Sequence, residues 1–281
     1  MKNRLFVSVI VPTRNSEKFL HRCLKSIKNQ TYKNVETIIV DNYSLDRTTE
    51  IAEEFCARTI IDNLNRSEAR NRGAKASTAE LLLFLDSDME LSPEVIENSV
   101  SQVNRGCDAV VIPEISVGEG FWAKCKALER ACYIGDESIE AARIFKREAF
   151  ETVQGYDSKL EAGEDWDLGQ RIKKAGFKTS RIDTLIIHHE GKLDLRKTIM
   201  KKYEYGKTMG RYMRKHPEIA KQQLRLIRPA FLRHRKKLLT DPIHTMGLFI
   251  MKMCEFAAGV LGSVCQKKMR IACAPPHSKA D

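Results

Sequence analysis

The chain reads as an α/β protein, a mostly parallel sheet flanked by helices and followed by a C-terminal helical extension. Three observations predict this. Short β-branched runs alternate with stretches of helical period through the first two-thirds of the 281 residues. Those runs are apolar at consecutive rather than alternate positions, as in strands covered on both faces. From Leu195 onward the strand pattern stops and a helical one continues almost to the end.

Taken in order, residues 5–11, 36–40, 58–61, 81–85 and 109–112 are the strand candidates, with helices at 17–28, 47–57, 67–77 and 93–104. Ser92 ahead of Pro93 reads as a helix start, with Ser as N-cap and Pro at the first helical position. Beyond about residue 115, "GEGFWAKCKALERACY" reads as a helix and "AARIFKREAF" as a strand running into a helix. "GEDWDLGQRIKKAG" is a helix closed by Gly176, and "KTSRIDTLIIHHEG" is a strand. "ACAPPHSKAD" reads as a frayed tail. The expected division is an α/β body over 1–192, a basic amphipathic extension over 193–265 and a flexible tail over 266–281.

Apolar residues make up 42% and charged residues 30%, enough apolar material for a real core, which argues against a disordered chain. The eight cysteines are scattered, without a Cys-x-x-Cys pair or zinc-finger spacing, and read as reduced core residues. "MKNRLFVSVIVPTRN" has an apolar run shorter than a signal peptide's and no cleavage site, so it reads as a first strand of a cytosolic protein. The net charge of +11 is unevenly spread. Between Lys192 and Lys237, 16 Lys and Arg stand against Asp194, Glu204 and Glu218, a local +13 that leaves the rest nearly neutral. Such a segment suits nucleic acid or an anionic membrane surface, or is simply a well-solvated helical face.

In parallel α/β sheets ligands bind beyond the carboxyl ends of the strands. Four strand ends carry polar residues: Pro12, Thr13 and Asn15; Asp41 with Ser44 or Asp46; "LNRSEARNRGAKA"; and "LLLFLDSDMEL". An Asp after a strand is commonly only a cap or turn residue, and Asp-x-Asp is frequent by chance. An extended backbone nevertheless points Asp86 and Asp88 to one side, with Ser87 opposite. Acids closing a buried strand need a positive partner. Two hard oxygen ligands there suit Mn²⁺ or Mg²⁺ carrying a diphosphate.

Together, "SVIVPTRNSEKFLHRCLKSIKNQTYKNVETIIVDNYSLDRT", "ARNRGAKASTAELLLFLDSDMEL" and "GEDWDLGQRIKKAG" resemble the family 2 glycosyltransferases of GT-A fold, over roughly residues 5–192. The resemblance implies a nucleotide-sugar donor, UDP- or GDP-linked, a bound divalent cation and inversion at the anomeric carbon. It implies that Pro12 and Thr13 line the nucleotide pocket with Asn15 nearby, that Asp41 accepts from the base, and that Arg70, with Asn65 as a looser candidate, reaches the diphosphate or base. Asp86 and Asp88 match the metal-binding Asp-x-Asp, and Ser87 joins the donor-binding set. The usual Asp-Asp-Gly-Ser after the second strand is here Asp41-Asn42-Tyr43-Ser44, which leaves the base preference open.

Sugar transfer to a hydroxyl needs a carboxylate to take the proton. "EAGEDWDLGQR" offers Glu161, Glu164, Asp165 and Asp167, acids that a helix N-terminus alone would favour. The resemblance matches Glu164-Asp165 to the family's Glu-Asp pair and puts Asp165 at the base. Of the paired histidines in "IIHHEG", adjacent residues face opposite ways, and His188 is preferred over His189 as an imidazole for the metal or the leaving phosphate. The mechanism implied is one in-line displacement, with the cation at the diphosphate and Asp165 on the far side of the sugar.

Residues 243–264 would reach about 33 Å as a helix. His244, Thr245, Lys252, Glu255, Gly259, Gly262, Ser263 and Gln266 form one narrow stripe on an otherwise apolar surface. The helix can lie in the membrane plane, pack against the enzyme or a second copy, or span a bilayer. The preceding basic arm favours the first, on the cytoplasmic face, and would suit a membrane-bound or lipid-linked acceptor. Two other functions fit parts of the pattern. Nucleotidyl transfer uses similar Asp pairs, but no Gly-rich triphosphate loop follows the first strand and Glu164-Asp165 would lack a role. A non-enzymatic nucleic-acid clamp would use the basic arm, which lacks a nucleic-acid motif.

Overall fold

The computed structural model describes residues 4–226 and 228–272. β1 (Val7–Thr13), α1 (Glu17–Lys28), β2 (Val35–Asp41), α2 (Thr48–Glu54), β3 (Arg58–Ile61), α3 (Arg66–Ala76) and β4 (Leu81–Phe84) alternate as the sequence predicts. β5 (Met89–Leu91), α4 (Val95–Asn104), β6 (Ala109–Val111), β7 (Glu114–Glu119) and α5 (Gly120–Tyr133) follow. β8 (Ala142–Lys146), α6 (Arg147–Thr152), α7 (Glu164–Lys174), β9 (Thr179–Arg181) and β10 (Ile186–Lys192) complete the α/β body. The main sheet has the order β3-β2-β1-β4-β8-β6-β9, with β8 antiparallel to both neighbours. A second sheet, β5-β10-β7, stands beside it.

Consecutive apolar residues serve two cores. Val7, Val9 and Val11 of β1 and Leu81 and Leu83 of β4 face one cluster with Leu20, Leu24 and Ile96. Ile10, Leu82 and Phe84 face the other, with Ala69, Ala74 and Phe150. The alternation within a wholly apolar run is what a sheet covered on both faces requires. A Cβ on Gly73 would lie 2.4 Å from Ile10 Cγ2, so this glycine lets α3 settle directly onto the sheet.

Four readings are corrected. The helix assigned to 93–104 starts at Val95 with Glu94 at the N-cap; Ser92 and Pro93 lie in the turn before it, where Ser92 C=O accepts from Val95 N. "KTSRIDTLIIHHEG" is two strands in different sheets, because the chain leaves β9 at Arg181 and re-enters as β10 at Ile186. Asp86–Asp88 is not extended: the strand ends at Phe84, and Met89 N donates to Asp86 C=O across a turn into β5. The pleat therefore does not align the two carboxylates. The thiols are also not uniformly core: Cys23, Cys107, Cys125 and Cys132 are buried, but Cys56 is exposed and Cys254 and Cys265 are half-buried. The tail assigned to 266–281 lies largely outside the described residues.

The extension is α8 (Leu195–Lys215), α9 (Pro217–Gln223), α10 (Pro229–Arg233), α11 (Arg235–Thr240) and α12 (Pro242–Ala272). α12 packs on α8 and α5, with Leu248 and Met251 fully buried. Its polar stripe turns inward: Lys252 Nζ lies 2.8 Å from Glu129 on α5 and 3.0 Å from Glu255. Its opposite face exposes Ile243, Met246, Ile250, Met253, Phe256, Val260 and Leu261. The end of α8 is tied to α7, where buried Asp167 accepts from Lys215 Nζ at 2.9 Å and lies 2.8 Å from His216 Nε2.

α8 and α12 cross with their backbones in contact. A Cβ on Gly206 would lie 2.1 Å from Gly259 O, and one on Gly262 2.1 Å from Tyr203 O. Backbone cannot yield as a side-chain tip can, so Gly206→Val should lower stability by about 1–3 kcal/mol. Gly210→Ala, whose Cβ meets only Arg214 Nη1 at 3.6 Å, should be tolerated. Thermal denaturation of the two variants checks the contrast.

Candidate active site

The parallel strands end on one side, and their ends open on a cavity of about 720 Å³. Pro12, Thr13, Asn65, Ser87, Asp88 and Asp165 are among its lining residues. At its base lies Arg70, fully buried on α3 three residues before Gly73, so the close approach of that helix lowers the guanidinium to the strand ends. Arg70 Nη2 donates to Asp86 Oδ1 at 2.7 Å, and Nη1 donates to Asp165 Oδ1 at 3.0 Å and Glu164 Oε1 at 3.4 Å. Its guanidinium carbon lies 5.0 Å over the Tyr156 ring, whose hydroxyl donates to Asp165 at 3.1 Å. Three carboxylates, one from the turn after β4 and two from α7, thus share one arginine.

Arg143 is the second cation. It donates to Glu114 Oε1 through Nε and Nη2 at 2.8 and 2.6 Å, and its Nη1 stands 3.7 Å from Asp86 and 3.8 Å from Asp165. Burial opposes charge on Asp86, but Arg70, Arg143 and Arg66 outweigh it and hold the carboxyl well below the ordinary range. Glu164 goes the other way: burial first, then the neighbouring Asp165, raise it above its usual value, against the pull of Arg70 and Arg66. Two acids that share one guanidinium are therefore held at different proton affinities by their surroundings.

Asp88 faces another partner. Its Oδ2 lies 3.1 Å from His188 Nε2 on β10, while His189 is occupied by Glu90 and Arg22, each at 2.8 Å. Burial disfavours a charged His188, but Asp88 outweighs it and raises the imidazole above its ordinary value. His188 Nδ1 is buried without a hydrogen bond, 3.9 Å from Glu190. A carboxylate oxygen beside an imidazole nitrogen fits a divalent cation that takes its other ligands from phosphate oxygens and water. No group of three such side chains converges among the described residues, so the protein side of the set is small.

The other sequence-derived residues separate by position. Thr13 Oγ1 donates to Asp41 Oδ1 at 2.7 Å, and Ser44 N and Oγ donate to the same carboxylate at 2.8 and 2.6 Å. Asp41 is buried behind Thr13, with these three donors already on it, and does not line the cavity. Asn15 has φ 49° and uses its side chain on Leu45 N, so it braces the loop after β2 instead of facing the cavity. Tyr43 stands at φ 46°, the left-handed region for which the usual Gly of that turn is suited. Asn65 is the N-cap of α3 in a capping box with Glu68, and donates to Ser158 C=O at 3.0 Å. Arg70 does not itself line the cavity; it organises the acids beneath it. Sequence reasoning missed Arg143, Glu114 and Tyr156. An arginine among the apolar residues of "ARIF" was the available signal, since a buried guanidinium there needs carboxylates.

This architecture is of the GT-A class. Mannosyltransferase PcManGT from Pyrobaculum calidifontis, solved with GDP-Man and Mn²⁺, matches with a TM-score of 0.65 at 17% identity, covering 94% of this chain and 88% of that one. S. aureus TarS 1–349, solved with UDP-GlcNAc, matches with a TM-score of 0.56 at 17% identity, covering 95% and 92%. The family model described as glycosyl transferase family 2 matches residues 8–156, more than half the chain, so the protein belongs to that family. A model described as N-terminal domain of galactosyltransferase matches residues 140–192. The 4,4'-diaponeurosporenoate glycosyltransferase of Staphylococcus haemolyticus is 38% identical over 113 residues, 36% of this chain and 30% of that protein. The pre-mycofactocin glycosyltransferase of Mycobacterium tuberculosis is 25% identical over 232 residues, 75% and 48%. The chain spans less than half the length of these curated relatives.

Removing Arg70 would leave Asp86, Glu164 and Asp165 crowded and without their common counter-charge. Arg70→Met should cost about 3–5 kcal/mol of stability, as loss of one partner from a buried ion pair does. Arg70→Lys, which keeps the charge but cannot fork between two acids, should fall between. Urea denaturation of the three proteins measures both.

Proposed function

We propose that the protein moves a sugar from a UDP- or GDP-linked donor to a hydroxyl of a membrane-associated acceptor, with inversion and with a divalent cation, Mn²⁺ or Mg²⁺. The observation that carries this reading is that Asp86 and Asp165 are held by one guanidinium at 2.7 and 3.0 Å on a shared cavity. The group assigned to the diphosphate side and the group assigned to the acceptor side are therefore in fixed relation. Asp88 and His188 would hold the cation, with Asp86 behind them. When bound, the cation supplies positive charge to the diphosphate oxygens of the leaving group.

Asp165 takes the acceptor hydroxyl's proton as the new C–O bond forms. Arg70 and the Tyr156 hydroxyl orient this carboxylate, and Glu164 beside it holds its proton more readily. Pro12, Thr13 and Ser87 border the nucleotide end of the cavity. Asp41 supports that end from behind through Thr13. The PcManGT complex with GDP-Man and Mn²⁺ and the TarS complex with UDP-GlcNAc support this choice of donor class and metal.

Asp165→Asn should keep nucleotide binding near normal and lower kcat by ~10²–10⁴-fold. Nucleoside diphosphate release from a panel of UDP- and GDP-sugars with Mn²⁺ reads this. Turnover near the parent level would remove Asp165 from the role, and full activity in excess chelator would remove the cation.

The membrane reading rests on α12, the described helix long and apolar enough to cross a bilayer, about a third of whose apolar window is buried in the protein. Lys252 and Glu255 form ion pairs with Glu129 and Lys126 of α5, which supports a helix lying on the protein with its apolar face outward in the membrane plane. The basic residues of α8 to α11 supply the attraction to anionic lipid. Ile250→Glu with Met253→Glu should cut binding to phosphatidylcholine–phosphatidylserine vesicles by roughly tenfold or more, since each side chain contributes about 1.5–3 kcal/mol when buried. Undiminished co-sedimentation would exclude α12 as the anchor.

A further inference from the structure

The far wall of the cavity is built by α5, α8 and α12, and carries a charge imbalance that the chemistry above does not use. Lys126 Nζ lies 2.7 Å from Glu129 and 3.5 Å from Glu255; Lys252 lies 2.8 Å from Glu129 and 3.0 Å from Glu255. The Tyr133 hydroxyl also donates to Glu129 at 2.8 Å. Each glutamate thus faces the same two lysines, although Glu255 Oε1 makes no hydrogen bond. The third lysine of the cluster, Lys202 on α8, has no carboxylate within 4.0 Å among the described residues. Three lysines against two glutamates leave one positive charge over on the half-buried cavity wall, where an anion is favoured. Burial, with Lys126 and Lys252 adding to it against Glu255 and Glu129, lowers Lys202 to about 8.

The helix crossing puts that charge where it is. Gly206 meets Gly259 backbone to backbone; Lys202 stands one turn before Gly206, and Glu255 one turn before Gly259. Lys202 also lies 5.8 Å from the centre of the Tyr205 ring, and exposed Lys201 lies 5.7 Å from it. The Tyr205 hydroxyl accepts from Arg66 at 3.4 Å, and Arg66 is 3.5 Å from Glu164. Lys202, Lys201, Lys126 and Tyr205 all line the cavity that holds Asp165. Tyr205 and Arg66 thus stand between this cation and Glu164, and α12, packed on α8, carries the apolar outer face.

Building on the acceptor role proposed above, we infer that Lys202, with Lys201 and Tyr205 beside it, binds a phosphate group carried by a lipid-linked acceptor. The phosphate supplies the missing negative charge, the acceptor hydroxyl extends toward Asp165, and the lipid chain leaves along α12. A free phosphate would satisfy the same charge but has no use for the apolar face.

Dodecyl phosphate below its micelle concentration and inorganic phosphate are the probes, titrated calorimetrically into the full chain and into Lys202→Ala, Lys202→Arg and Lys202→Met. Dodecyl phosphate should bind the parent, weaken roughly tenfold or more in Lys202→Ala, and bind Lys202→Arg within about threefold, as expected for a charge-assisted contact. UDP and GDP affinities with Mn²⁺ should stay unchanged in all variants. Lys202→Met, which removes a surplus charge and keeps the apolar stem, should melt no lower than the parent. Equal dodecyl phosphate binding by Lys202→Ala overturns the inference. So does parallel loss of nucleotide affinity, which would assign the cation to the donor. Inorganic phosphate binding as tightly as dodecyl phosphate rules out the lipid-linked source, and a lower melting point for Lys202→Met makes the lysine structural. Nucleotide binding that fails in the parent itself would instead sink the donor reading.

Discussion

Everything at the strand ends depends on one buried guanidinium serving three carboxylates. Asp86 comes from the turn after β4, and Glu164 and Asp165 from the start of α7. These segments would repel one another without Arg70 between them. Arg70 in turn reaches them only because Gly73 lets α3 touch β1 without a side chain intervening. A single missing Cβ therefore sets the depth of the cation, and the cation sets the distance between the diphosphate side and the base side. The fork of the guanidinium matters as much as its charge, since its two ends point at different acids.

The helical extension is part of the same construction. Asp167, two residues past the proposed base, is held by Lys215 and His216 at the end of α8. α5, α8 and α12 form a wall of the cavity through Lys126, Lys202, Tyr205 and Glu255. α12 carries its central charges inward beside Leu248 and Met251 and exposes a second apolar face, unlike an ordinary surface helix. This arrangement is stable because α5 supplies Lys126 and Glu129 to meet those charges, and it leaves an apolar stripe on the outside that water does not favour.

The α/β class, the order of the elements and the helices at 17–28 and 164–174 follow from local pattern, because apolar runs, helical periodicity and capping act over a few residues. The strand ends named the residues of the site for the same reason: polar groups after buried strands stand out. Pairing did not follow from pattern. Asp41 looked like a ligand and is held by Thr13 and Ser44; Arg70 looked like a diphosphate ligand and is enclosed by acids. Asp86 and Asp88 looked like one pair and have separate partners, Arg70 and His188.

By itself the sequence determined the layered α/β body, the family, the acids from which the base is drawn and the concentration of positive charge in the extension. Only the tertiary structure decided which cation answers which carboxylate, that Arg143 and Tyr156 belong to the site, and that the polar stripe of α12 faces inward. The reason is physical. Periodicity and capping are settled between neighbours in the chain, whereas the partner of a buried charge is chosen among groups that meet only after the sheet and helices have packed, as Arg70 and Asp165 do from helices 95 residues apart in sequence.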